Sequence, residues 1–237
     1  TVIHNAAREP EIVDLGECLI RWGARVNGLG SSKLVIEGVK TLSGGFHRVI
    51  PDRIEAGTFM TAVTATGGRI KLANADPSHL YAVMKKLRDT GAKITSNRNS
   101  IMIEMSGKKS KAVDIKTAPY PGLPTDMQAL FTALSTVSEG TCFLEETIFE
   151  NRFMHVQELK RMGADISVKD NIARVVGIQN LYGAEVMASD LRASAALIIA
   201  GLVASGKTTV FGMEHTDRGY ENIDLKLASL GADIVRI

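Results

Sequence analysis

Hydrophobic and polar positions along the chain spell one pattern several times. Amphipathic helical runs end on a Gly-Ala pair at Trp22-Gly23-Ala24, Thr90-Gly91-Ala92, Met162-Gly163-Ala164 and Leu230-Gly231-Ala232. The glycines stand 68, 72 and 68 residues apart, a period that marks internal repetition. Helices are predicted before these pairs, over 12–21, 79–88, 155–161 and 223–229. After each of the first three pairs the pattern predicts strand, polar turn and strand. The turns are Asn27-Gly28, Asn97-Arg98-Asn99 and Lys169-Asp170-Asn171.

A second helix–strand pattern fills the other half of each repeat. Helices are predicted to start at Asp52, Asp126 and Asp190 and to end at Gly67-Gly68, Gly140 and Gly206. Strands follow over 69–72, 141–145 and 208–211. One unit reads β-α-β-α-β-β over about seventy residues. Three units, about 49–115, 116–182 and 183–237, predict an α/β (α+β) domain with three-fold pseudo-symmetry around packed helices. Residues 1–48 hold only the back half of a unit, and the last unit stops one strand short, after a strand expected over 233–237. The repeat therefore predicts that the chain is a piece of something longer.

Composition narrows the class without choosing a function. The chain has 237 residues, 45% of them hydrophobic and 23% charged, as in ordinary globular proteins. A net charge of +2 argues against a nucleic-acid partner. The one tight basic cluster, Lys108-Lys109-Ser110-Lys111, reads as a solvated loop. Cys18 and Cys142 make neither a disulfide framework nor a metal set, and both read as core. The five histidines show no ligand spacing. The apolar run from Ala195 to Ala204 is too short to span a bilayer, so no membrane partner is expected and a cytoplasmic location is the default.

Candidate chemistry gathers at the junctions between elements. Asp52 and Glu55 look like a capping box. Asp126, reached through Pro119, Pro121 and Pro124, is either a helix cap or a general base, with Gln128 as a second polar group nearby. Glu11 suits the start of a helix, whereas Arg8-Glu9 could face a site at a strand end. Arg152, Arg192 and Arg218 all stand at element ends, and guanidinium forks suit carboxylate and phosphate. Each alone reads as a surface ion-pair partner; their recurrence predicts convergence on an anion. Gly201-Leu202-Val203-Ala204-Ser205-Gly206-Lys207-Thr208 matches the phosphate-loop pattern, but a helix precedes it and a strand follows, the reverse of what phosphate binding needs. It reads as a helix end with an exposed lysine.

Five stretches resemble the UDP-N-acetylglucosamine enolpyruvyl transferase family. They are Asn5-Ala6-Ala7-Arg8-Glu9-Pro10-Glu11-Ile12-Val13-Asp14, Pro51-Asp52-Arg53-Ile54-Glu55-Ala56-Gly57-Thr58, Phe149-Glu150-Asn151-Arg152-Phe153-Met154-His155, Ser189-Asp190-Leu191-Arg192-Ala193-Ser194 and Asp217-Arg218-Gly219-Tyr220-Glu221. The likeness covers essentially the whole chain. It implies an inverted α/β barrel-like domain, as in the enolpyruvate transferase fold. It further implies transfer of the enolpyruvyl group of phosphoenolpyruvate to the 3′-hydroxyl of UDP-N-acetylglucosamine, with release of phosphate and without a metal or cofactor. In the Pro-Thr-Asp-Met-Gln motif, Asp126 matches the base on the sugar hydroxyl. Ile148 matches a backbone contact to the nucleotide sugar and Asp190 a supporting acid, and Glu9, placed by its loop to face the site, is expected among the substrate-binding residues. Arg152, Arg192 and the catalytic Arg218 match arginines around phosphoenolpyruvate. The resemblance also implies that a Lys-Asn pair and a mobile proton-donor loop lie in an N-terminal half not contained in this sequence. Residues 1–48 would then belong to that other domain, and this chain alone is expected to be inactive. The rival expectations are the sister transferase acting on shikimate 3-phosphate and a non-catalytic fragment or complementing subunit.

Overall fold

In the computed structural model, which describes residues 1–237, the first 37 residues form strand β1 (Val2–His4), helix α1 (Pro10–Arg21) and strands β2 (Arg25–Asn27) and β3 (Lys33–Glu37). A stretch without helix or strand, 38–52, leads to α2 (Arg53–Thr66), β4 (Gly68–Ala73), a 3-10 turn (Pro77–Leu80), α3 (Tyr81–Asp89), β5 (Lys93–Asn97) and β6 (Ser100–Met105). Next come β7 (Ile115–Lys116), a 3-10 turn (Thr125–Met127), α4 (Gln128–Thr136), β8 (Thr141–Glu145), α5 (His155–Arg161), β9 (Asp165–Lys169) and β10 (Ile172–Val176). The chain closes with β11 (Leu181–Tyr182), β12 (Glu185–Met187), α6 (Leu191–Val203), β13 (Ala204–Ser205), β14 (Thr209–Phe211), α7 (Glu214–Asp217) and α8 (Ile223–Ser229).

The repeat is visible in the sheets. Strand orders β1-β3-β2, β4-β6-β5 and β8-β10-β9 share one antiparallel arrangement in which the last strand of each set lies in the middle. In the second unit β7 joins β8 in parallel, and in the third β11-β13 and β12-β14 are parallel pairs. Registers such as Ile70 opposite Ile103 and Leu144 opposite Ala173 keep apolar side chains on one face.

The leading helices of the three units, α2, α4 and α6, contact one another and are covered on all sides. All nine residues of α4 are buried, as are Ala193 to Ala200 of α6. A helix apolar all round belongs in a core, and here the helices are the core with sheets outside. Their threonines remain compatible with burial because Thr58, Thr61, Thr64 and Thr132 donate to the carbonyl four residues back. The main hydrophobic cluster has 44 buried residues and contains none before Ile54.

Several expectations change in detail. No strand forms over 233–237, because the strands of the third unit pair only among themselves and a strand needs a ladder. The first hairpin turns over 28–32 rather than over Asn27-Gly28 alone, with Ser31 Oγ bonded to the Gly28 and Lys33 carbonyls. Asp52 accepts from the Ile54 and Glu55 amides as a cap should, but Glu55 does not complete a capping box. Its carboxylate instead meets Lys226 Nζ of α8, far along the chain. The phosphate-loop look-alike behaves as its element order predicts: α6 runs to Val203, Gly206 turns at φ +90°, and Lys207 is exposed.

Phe131, fully buried in α4, is one of the largest side chains in the core. Phe131→Ala is expected to lower unfolding free energy by about 3–5 kcal/mol, read as a drop in the urea midpoint at unchanged slope.

Candidate functional site

Equivalent aspartates begin the three inner helices, yet they do not do the same work. Asp52 caps α2, and Asp190 caps α6 by accepting from the Arg192 and Ala193 amides at 2.9 and 3.0 Å. Asp126 caps nothing. It lies inside the Thr125–Met127 turn, whose own start makes no side-chain cap. Freed from the backbone, its carboxylate faces two guanidiniums. Arg152 Nη2 donates to Asp126 Oδ1 at 2.8 Å, and Arg192 Nε stands 3.3 Å from the same oxygen. Oδ2 has no protein partner, and the side chain is 34% exposed.

Each arginine is held from behind. Arg152 Nη1 donates to Thr125 Oγ1 at 2.8 Å, and its guanidinium lies 5.0 Å from the Phe149 ring centre. Arg192 Nη1 donates to Tyr220 Oη at 3.4 Å, and Tyr220 Oη shares a 2.8 Å hydrogen bond with Thr58 Oγ1 of α2. The chain Thr58–Tyr220–Arg192–Asp126–Arg152–Thr125 thus ties together the N-terminal ends of α2, α4 and α6. Those ends carry the positive poles of three helices, which favour negative charge.

Burial pushes the Asp126 carboxyl up, but Arg192 and then Arg152 outweigh it and hold the group below the usual carboxylate range. The Asp190 carboxyl is also lowered, because its cap amides overcome the effect of burial. Burial holds His155, at the start of α5, down at about 4; Asp190 opposes that shift and Arg152 adds to it.

A cleft of about 690 Å³ opens beside Asp126 and Arg192. Glu9, Glu11, Asp14, Asp52 and Arg53 also line it, so its wall is shared between α1 and the start of α2. Glu11 clasps Arg53 at 2.8 and 3.3 Å, and Asp14 Oδ1 meets His47 Nε2 at 3.0 Å. Glu9 is different: its Oε2 is buried without a partner.

Among the residues predicted from sequence, the structure brings Asp126, Arg152 and Arg192 into direct contact, with Asp190 supporting Arg192 from below. Arg218 is exposed and makes no ion pair, so the three-arginine convergence is two arginines in contact. It is two residues from Tyr220, and neighbouring Gly219 lies against Leu191 at the start of α6. Ile148 is half exposed, with its N–H bonded to Glu146 Oε1. Gln128 is fully buried, its amide atoms unpartnered, and does not join the site. Sequence reasoning missed Thr125, Tyr220 and above all Glu146, which is 3% exposed. One signal was present: period-two alternation in β8 puts Cys142, Leu144 and then Glu146 on the inward side. No group of three or more His, Cys, Asp or Glu side chains is placed to hold a metal ion, and no helix is long and apolar enough to cross a membrane.

A family model described as EPSP synthase (3-phosphoshikimate 1-carboxyvinyltransferase) matches residues 1–227. The chain is 57% identical over 236 residues to a UDP-N-acetylglucosamine 1-carboxyvinyltransferase of Shewanella baltica strain OS155, covering 100% of this chain and 56% of that protein. A protein of the same name from Shewanella sp. strain MR-7 is 56% identical over 237 residues, with 57% of it covered. The chain thus spans about half the length of the curated relatives it matches. Among solved structures, the enolpyruvyl transferase NikO from Streptomyces tendae matches with a TM-score of 0.85 at 27% identity, over 99% of this chain and 56% of that one. An EPSP synthase from Acinetobacter baumannii matches with a TM-score of 0.54 at 17% identity, over 75% of this chain and 44% of that one, a likeness of fold. The mixed α/β architecture is that of the enolpyruvyl transferases, as expected.

Two pH effects follow from the site. Asp126 has a folded pKa below its unfolded value of about 3.9, so its charge stabilises fully above that value and the stabilisation is lost as pH falls. The stability gap between the parent and Asp126→Asn, measured by urea unfolding, should hold from pH 7 to 5 and shrink below about 4. His155 acts over a higher window. Its folded pKa of about 4 lies below the unfolded value of about 6.5, so stability should drop by about 3 kcal/mol as pH is lowered from 6.5 to 4. His155→Leu should flatten that slope relative to the parent.

Proposed function

The chain belongs to the EPSP synthase (3-phosphoshikimate 1-carboxyvinyltransferase) family, and from that premise we propose that it is the C-terminal portion of a UDP-N-acetylglucosamine enolpyruvyl transferase. The observation that carries the reading is 57% identity across the whole chain to a protein of that name. Transfer to 3-phosphoshikimate is the weaker reading, since the likeness to EPSP synthase structures stands at 17% identity.

The reaction adds the sugar 3′-hydroxyl to C2 of phosphoenolpyruvate while C3 gains a proton. It then removes a C3 proton and breaks the bond from C2 to the phosphate oxygen. Asp126 takes the hydroxyl proton through Oδ2, the oxygen without a protein partner. Between two guanidiniums it is a weak base. An incoming carboxylate or phosphate that draws Arg152 and Arg192 away from Oδ1 removes the charges that depress it, so its basicity rises as substrate arrives. The arginines are suited to that exchange, because their forks bind planar and phosphate anions in pairs of hydrogen bonds. Arg218, exposed beside the start of α6, supplies a third cation. Asp190 fixes the turn that carries Arg192. The Ile148 carbonyl, which accepts no backbone hydrogen bond, and the orphaned Glu9 Oε2 are acceptors for sugar or nucleotide N–H and O–H groups.

On this reading residues 1–48 pack as part of the N-terminal domain and 49–237 form the C-terminal domain, with the cleft between them. The absence of residues before Ile54 from the main core supports that division. The partners are UDP-N-acetylglucosamine, phosphoenolpyruvate and the N-terminal half, and the location is the cytoplasm, where cell-wall precursors of this kind are made.

Phosphate release from phosphoenolpyruvate tests the proposal, using the complete protein that contains this chain. Turnover is expected with UDP-N-acetylglucosamine and not with shikimate 3-phosphate, and Asp126→Ala should lower kcat by about 10²–10⁴. Turnover with shikimate 3-phosphate alone would reverse the assignment.

A further inference from the structure

We infer that Glu146 is a positioning residue for this site: its buried carboxylate fixes both the turn carrying Ile148 and the direction in which Thr125 presents its hydroxyl to Arg152. The inference rests on the transferase reading for its substrates; the positioning itself rests on geometry alone.

Glu146 occupies a core position. It continues the inward face of β8 after Cys142 and Leu144, both at 0% exposure, and is itself 3% exposed. No Lys, Arg or His pairs with it. An uncompensated carboxylate in that place would be strongly unfavourable, so its neutral donors account for its presence. Oε1 accepts from Thr117 Oγ1 at 2.8 Å, the Ile148 amide at 2.8 Å and the Phe149 amide at 3.0 Å. Oε2 accepts from Thr125 Oγ1 at 2.8 Å. The four donors come from three separate stretches of chain: the end of β7, the turn before α4 and the turn after β8. Around them, Thr147 bonds Thr117 through both its amide and its hydroxyl, and Asn171 Nδ2 donates to the Glu146 carbonyl.

Polarity is the part that reaches the site. A threonine hydroxyl carries one hydrogen, and a carboxylate can only accept, so Thr125 must spend that hydrogen on Glu146. Its lone pairs then face Arg152 Nη1 at 2.8 Å, and the other arm of the same fork, Nη2, lies on Asp126. Glu146 is therefore two hydrogen bonds from the guanidinium it orients. In Glu146→Gln the amide oxygen can keep the three bonds of Oε1. Its NH₂ would face Thr125 and donate, turning the hydroxyl hydrogen toward Arg152, donor against donor. Glu146→Ala removes both functions.

The complete transferase carrying these variants gives the test. Glu146→Gln is expected to raise KM for phosphoenolpyruvate at least tenfold while KM for UDP-N-acetylglucosamine stays within twofold. Thr125→Val should do the same, and the double variant should be no worse than either single one, because both break one relay. Hydrogen exchange at the Ile148 and Phe149 amides should remain slow in Glu146→Gln and rise at least tenfold in Glu146→Ala. An unchanged KM for phosphoenolpyruvate in Glu146→Gln would overturn the relay, as would losses in both KM values that merely track a lower melting temperature. If the parent shows no turnover, the transferase reading fails by itself and exchange decides: amides equally protected in Glu146→Ala would overturn the positioning role.

Discussion

One carboxylate oxygen shared by two guanidiniums is the constraint on which the rest of the site depends. Arg152 and Arg192 come from different units, and like charges at that separation repel unless an anion lies between them. The N-terminal ends of α2, α4 and α6 add positive poles to the same place. Asp126 is the internal anion that lets these parts meet. Had it capped its helix, as Asp52 and Asp190 cap theirs, the guanidiniums would have lost their common partner. The 3-10 turn before α4 is the local departure that frees it, so a small break in the repeat's symmetry creates the chemistry.

The architecture was largely legible in the sequence, because it repeats. Spaced Gly-Ala pairs, inner helices apolar on every side and polar hairpin turns each appear in several copies, and a pattern seen repeatedly is hard to misread. Helix 155–161 and strand 141–145 appear as predicted. What pattern could not supply was pairing. Whether 233–237 becomes a strand depends on a neighbouring ladder, a long-range matter that local alternation does not record. Glu55 shows the same gap: locally it completes a capping box, but a lysine far along the chain, Lys226, takes its carboxylate.

The site was legible as residue types and not as connections. Arginines at element ends indicated an anion, and two of them meet at Asp126. The third, Arg218, lies exposed near the same helix end, and nothing in its spacing could separate contact from proximity. Glu146 was overlooked although strand alternation pointed inward at it, because a charged residue on a core register reads as a frayed strand end until its donors are known. Those donors, Thr117 and Thr125, lie 29 and 21 residues away in sequence. Tyr220 escaped for a related reason: its burial at 1% looks like packing, while its hydroxyl joins Arg192 to Thr58.

Charge in the cleft shows why formal counting misleads at such a site. Its lining holds five acids, Glu9, Glu11, Asp14, Asp52 and Asp126, against two arginines, Arg53 and Arg192. Taken as a sum, that wall would repel an anion. Taken by partner, it does not. Glu11 is spent on Arg53, while Asp14 is hydrogen-bonded to His47 and Asp52 accepts from the first amides of α2. Asp126 carries one charge against two guanidiniums. At the point where the inner helices converge the balance is positive, and the acids that would cancel it are committed elsewhere. Of the lining acids, only Glu9 keeps a buried oxygen unpartnered. The charge the cleft presents depends on how its groups are paired, and pairing is set by the fold.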